Sequence, residues 1–205
     1  MLTIRREEPD DAEAIARVHI HGWQAGYAGI MPDEVLGRLN PVAWAQRRRD
    51  LGTADPEHPF TTLLAEVGGV PVGFTTFGPY RNDQDRDDLD HSLGEVLGIH
   101  VEPAHWGDGT ARALLAAARG EMAGRGWRTY RLWVLADNAR GRRFCGRAGL
   151  SPDGERCTYP VPLAGGRPPV HLVELRYAGR LDGGPIDGAG RLDGGPIDGA
   201  GRLDG

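Results

Sequence analysis

Hydrophobic and polar positions alternate along the chain with two different periods, and they divide it into recognisable elements. Residues 2–6, LTIRR, predict a short strand. Pro9, Asp10 and Asp11 then open a helix, with acids placed where the helix dipole is positive. Ile15, Val18, His19 and Gly22 fall on one face of that helix and predict a core stripe. Helices are predicted over residues 32–39 and 42–49. Residues 61–67 and 70–77 read as a hairpin across Gly68-Gly69. A polar, acidic loop over residues 81–90 follows, then a strand over 95–101 and an apolar helix over 110–123. A strand over 129–135, a helix over 138–147 and closing strands over 157–161 and 170–177 complete the pattern. The order predicts a mixed α/β (α+β) fold around a central, mostly antiparallel sheet.

Composition narrows the class. The 205 residues suit one domain large enough for a sizeable core. A net charge of -5 without a basic stripe gives no support for nucleic-acid binding. No run approaches the ~18 apolar residues of a membrane span. The opening MLTIRREEPDD does not read as a signal peptide. Cys145 and Cys157 lack the number and spacing of a disulfide framework or a metal site, so a reduced, cytoplasmic protein without metal is expected. The end of the chain differs in kind. AGRLDGGPIDG, residues 178–188, recurs identically at 189–199 and begins again at Ala200. Its few apolar residues cannot offset the entropy of ordering, so residues 178–205 are expected to be a disordered tail after a domain over 1–177.

The most chemical stretch is GEVLGIHVEPAHWGDGTA, residues 94–111, followed by the apolar helix RALLAAARGEM. A strand that feeds glycines into a helix start makes an anion cradle, because N–H groups without intrahelical partners point outward there. Glycine also lets the backbone come close to a phosphate. The turn is neither a P-loop, since the chain contains no lysine, nor a complete G-x-G-x-x-G, since Ala111 and Arg112 follow Gly107-x-Gly109.

This stretch resembles the central motif of the GNAT superfamily of acyl-CoA-dependent N-acyltransferases: Arg/Gln-x-x-Gly-x-Gly/Ala after a strand ending in Val-x-Pro. Gly109 and Ala111 match and Gly107 fills a common glycine position, whereas Trp106 stands where Gln or Arg is usual. PDDAEAIARVHIHGWQAGYAGIMPDEVLGRL resembles the first two helices of bacterial members, LWVLADNARGRRFCGRAGL a later strand and helix, and VHLVELRY the last strand. The resemblance implies helices on both faces of the sheet and a parallel strand pair that splays apart to admit the pantetheine arm. It implies acetyl-CoA as co-substrate, held by the backbone of Ile99, His100 and Val101, by the turn Trp106, Gly107, Asp108, Gly109, Thr110, Ala111 and Arg112, and by Asn138. Asn138 is also a natural helix cap.

The resemblance also assigns candidate chemistry. Glu95 is the candidate base, and period-two alternation puts it on one face with Leu97, Ile99 and Val101; the other reading is a strand-start carboxylate in solvent. His100 falls on the opposite face as a packed histidine. Cys145 occupies the place of a tyrosine that protonates the leaving thiolate. A thiol could donate that proton or be acylated itself, or Cys145 is a small buried residue and water supplies the proton. Trp23, Tyr27 and Tyr159 are expected to frame the acceptor or to be plain core. The expected activity is direct acetyl transfer in a ternary complex to a primary amine of a small molecule. A protein N-terminus or lysine is the alternative acceptor, a non-catalytic CoA-binding module the alternative class, and a homodimer is compatible with the resemblance.

Overall fold

Helix α1 (Ala12–Gly26) buries Ile15 and Val18 against Leu64 and Phe74, as the stripe predicts. The computed structural model describes residues 1–182. Its strands are β1 (Leu2–Arg6), β2 (Thr61–Val67), β3 (Val70–Arg81), β4 (Leu89–Val101), β5 (Thr129–Leu135), β6 (Ser151–Val161) and β7 (Val170–Arg180). Its other helices are α2 (Asp33–Gly37), α3 (Pro41–Asp50), α4 (Thr110–Gly124) and α5 (Ala139–Arg147). Asn40 starts α3 by accepting from the N–H groups of Val42 and Ala43, with Pro41 at the first helical position. The strands form one sheet in the order β1-β2-β3-β4-β5-β7-β6. α1 to α3 cover one face. α4 covers the other, where its buried Leu114, Leu115, Ala118 and Met122 join the main core with Val96, Val101, Tyr130 and Leu132.

Every neighbouring strand pair is antiparallel except β4–β5. That parallel pair is short: Gly94 faces Tyr130 and Glu95 faces Arg131, and pairing stops there. β4 continues on β3 as far as Val101, while β5 continues on β7 as far as Leu135. The two strands therefore diverge beyond Glu95 and leave a gap in the sheet.

A β-bulge adjusts β4 within this gap. Thr76 pairs with Gly98, but the next residue, Phe77, pairs with Val96, which leaves Leu97 extra. The bulge resets the alternation, so Val96, Ile99 and Val101 all reach the α4 side of the sheet. Glu95 and His100 lie on the opposite side. The expected common face for Glu95, Ile99 and Val101 is thus overturned, because an inserted residue flips the side chains beyond it.

Other boundaries also move. The expected acidic loop is present but shorter, since β3 runs to Arg81 and β4 begins at Leu89, leaving a connection over 82–88. α2 is five residues long. β6 begins at Ser151, earlier than its apolar residues suggest. The last strand does not end at Tyr177. Gly179 lies so close under Tyr130 that a Cβ there would sit 2.5 Å from the ring, the Leu181 N–H donates to Arg128 O at 2.9 Å, and Leu181 packs on the main core. Residues 178–182 of the first repeat copy therefore belong to the fold, which corrects the boundary expected at Tyr177. The disorder expected of the tail concerns residues 183–205, which lie outside the described residues.

Candidate active site

The gap between β4 and β5 opens into a cleft of about 380 Å³. One wall is the end of β4 and the turn after it. Gly107 and Gly109 have φ of 88° and 101°, which only glycine adopts without strain, and Gly109 caps α4. The backbone N–H groups of Ala111 and Arg112 have no intrahelical acceptor at this helix start. Asp108 Oδ1 accepts from the Thr110 N–H at 2.9 Å, and Thr110 with His105 holds the Asp108 carboxyl below the usual range. Ile99, His100, Val101 and Trp106 line the cleft, as do Gly107, Asp108, Gly109, Ala111 and Arg112. Thr110 does not: its side chain is buried.

Trp106 has two partners. Its Nε1–H donates to Val101 O at 2.8 Å, and the Arg140 guanidinium lies 3.3 Å from its ring centroid. Arg140 thereby ties α5 to the β4–α4 turn across the cleft mouth. Asn138 caps α5 through Oδ1, which accepts from Gly141 N at 2.8 Å, and it also lines the cleft.

A second cavity, of about 1050 Å³, lies on the α1–α3 side of the sheet. Trp23, Tyr27 and His100 line both spaces and so mark where they meet. The His100 ring meets His19 and Phe74 in tilted contacts, with ring centroids 4.6 and 4.9 Å away. Burial, and then Arg48, pushes the His100 imidazole down to about 4, so it is neutral at pH 7. His19 is also held neutral, by burial first, then His100 and Arg48, and its buried Nε2 has no hydrogen-bond partner among the described residues.

Charges of both signs reach this second cavity. Arg48 grips Glu7 with two hydrogen bonds of 2.9 and 2.6 Å. Arg81 grips Glu95 in the same way, at 3.0 and 2.7 Å, and adds its backbone N–H at 3.0 Å. Arg86 forms no ion pair among the described residues; its guanidinium lies 5.7 Å from the Phe60 ring centroid. Burial, and then repulsion from Arg81, Arg47 and Arg48, lowers its pKa. Tyr159 and Glu174 line the same cavity.

Two expected catalytic residues are placed elsewhere. Glu95 is fully buried and lines neither space, because Arg81 covers it and takes its hydrogen-bonding capacity. Cys145 is 2% exposed within the main core and lines neither space, though its neighbour Phe144 lines the cleft. Burial pushes its thiol up to about 12, which keeps it protonated and unreactive. His19, expected in the core stripe, lines the second cavity, as do Arg81, Arg86 and Glu174, which no motif singles out. Glu174 did carry a signal, as the lone acid within the apolar run VHLVELRY.

Among the described residues no group of His, Cys, Asp and Glu could hold a metal, and no helix is long and apolar enough to cross a membrane. A profile of the Acetyltransferase (GNAT) family matches residues 24–150. The chain is 27% identical over 138 residues to the uncharacterized N-acetyltransferase YuaI of Bacillus subtilis, covering 67% of this chain and 74% of that one. It is 32% identical over 116 residues to the L-methionine sulfoximine/L-methionine sulfone acetyltransferase of Salmonella typhimurium, covering 56% of this chain and 60% of the relative. The structure of yncA from Salmonella typhimurium, solved with its cofactor acetyl-CoA, matches at a TM-score of 0.58 and 25% identity, covering 92% and 98% of the two chains. The family match spans the glycine turn, the splayed strand pair and α5, and this chain belongs to the Acetyltransferase (GNAT) family.

Proposed function

We propose that this protein transfers an acetyl group from acetyl-CoA directly to the primary amine of a small, amino-acid-like molecule, with both substrates bound at once. The observation that carries this reading is the meeting of two cavities at Trp23, Tyr27 and His100. The narrower cleft fits the cofactor. Its glycine turn and the N–H groups at the start of α4 suit a pyrophosphate, with Arg112 and Arg140 as nearby cations. The edge of β4 over Ile99 to Val101, which β5 leaves unpaired, and the Asn138 side chain suit the pantetheine arm. The wider cavity fits the acceptor. Arg86, without an acidic partner among the described residues, suits a carboxylate, and the aromatic rings of Trp23, Tyr27 and Tyr159 suit the remainder of the molecule. The Salmonella typhimurium relative, named for L-methionine sulfoximine and L-methionine sulfone, supports an acceptor of that kind.

Thiol release from acetyl-CoA tests the reading, with amines of matched size that carry or lack a carboxylate and with CoA binding followed by calorimetry. Turnover is expected with the carboxylate-bearing amines. Arg86→Ala should raise their KM about tenfold and leave kcat within a factor of about two, since the lost contact serves ground state and transition state alike. Absence of CoA binding would sink the reading. Turnover confined to peptide N-termini would replace the small acceptor with a protein.

A further inference from the structure

Glu174 is a cavity-lining carboxylate with no ion pair among the described residues, in contrast to Glu7 and Glu95, which arginines occupy. It sits on β7 opposite Leu135, the last residue of β5, and opposite Cys157 of β6. Leu135 lies across the sheet gap from β4, and Leu97, Gly98 and His100 line the same cavity as Glu174. Its Oε2 accepts from Gln84 Nε2 at 3.2 Å and from Cys157 Sγ at 3.7 Å, and Oε1 accepts nothing among the described residues. Tyr27, at the junction of the two spaces, and Tyr159 both lie within its electrostatic reach.

We propose that Glu174, rather than Glu95, receives the ammonium group of the acceptor and takes its proton before attack. This rests on the acetyl-transfer reading above. The acceptor enters as R–NH3+ and gives one proton to Glu174. The freed nitrogen lone pair forms the bond to the thioester carbonyl carbon. The carbon–sulfur bond breaks, and sulfur leaves with the bonding pair and takes the second proton released by nitrogen. Glu174 returns its proton to water, so the products are an amide, the CoA thiol and one proton.

The surroundings suit a base. Burial raises the Glu174 carboxyl above its ordinary range, which increases its basicity. The groups that face it are Gln84 from the 82–88 connection, Cys157 and Tyr159 from β6, Tyr27 after α1, Arg81 from β3 and Glu95 from β4. Gln84, Cys157 and Arg81 oppose the rise, and Glu95 adds to it. The protonated acid cannot accept a proton, so kcat must rise with pH through the Glu174 pKa.

The test uses the full chain with saturating acetyl-CoA and an amine that the wild type acetylates. Glu174→Gln is expected to lower kcat about 100-fold. It should also abolish the acid limb of the pH profile and leave the CoA dissociation constant within about twofold. Glu174→Asp should retain that limb at reduced kcat. Wild-type kcat and an intact acid limb in Glu174→Gln would overturn the inference while the acetyl-transfer reading stands. Should Glu174→Gln not fold, full kcat in Glu174→Asp overturns it, because the carboxylate has been withdrawn by one methylene. A wild type that acetylates no amine overturns both proposals.

Discussion

Glu95 shows how one residue can be placed in the right strand and given the wrong surroundings. Its position at the sheet gap was legible from GEVLGIHV. Its partner was not, because Arg81 stands on the neighbouring strand and reaches Glu95 only through a register interrupted between Thr76 and Phe77 and again between Pro79 and Tyr80. The pair is almost entirely hidden, with side-chain exposures of 13% for Arg81 and 1% for Glu95. Removing one member of such a pair leaves a buried charge unmatched, at a cost of about 3–5 kcal/mol. Arg81→Met should therefore lower the melting temperature by about 10 °C. The double change Arg81→Met with Glu95→Leu should recover most of that loss. A thermal melt of the three proteins checks this, and an unaltered melting temperature in Arg81→Met would mean that the ion pair does not hold the strand ends together.

At the scale of elements, local signals were read well and long-range pairings poorly. The glycine turn and α4 depend on backbone conformation and on a stripe within one segment, and both were legible. The β4 bulge depends on how two strands align, so period-two reasoning put Ile99 and Glu95 on one face. The end of β7 was missed because AGRLD repeats later in the chain and looked like tail. The contact of Gly179 with Tyr130, the pairing of residues 178–180 with β5, the hydrogen bond from Arg119 Nη2 to Arg180 O at 3.0 Å and the packing of Leu181 mark it as fold. A chain ending after Tyr177 loses these contacts and frees one edge of β5 at Thr129 to Arg131. Its melting temperature should fall several degrees below that of a chain ending after Asp182, which keeps these contacts. Equal melting of both shortened chains would remove residues 178–182 from the folded domain.

At the scale of the whole molecule, the cofactor side was the more legible half. The lining of the cleft proposed for the cofactor comes largely from two continuous segments, 99–112 and 138–144, so the motif carried most of it. The cavity proposed for the acceptor was legible only in Trp23, Tyr27 and Tyr159, because Arg48, Arg86 and Glu174 come from distant parts of the chain and only the assembled sheet brings them to one cavity. The two halves share a wall at Trp23, Tyr27 and His100, which has a kinetic consequence for the proposed transfer. Both substrates can be present together, and Cys145, buried with its thiol pushed up to about 12, is in no position to carry the acetyl group between them. Initial rates measured at several fixed concentrations of each substrate should give lines that intersect in the double-reciprocal plot. Mass spectrometry of protein held with acetyl-CoA alone should show no added acetyl group. Parallel lines together with an acetylated enzyme would demand a nucleophile reachable from the cleft, and the direct-transfer mechanism would then have to be abandoned for a two-step one.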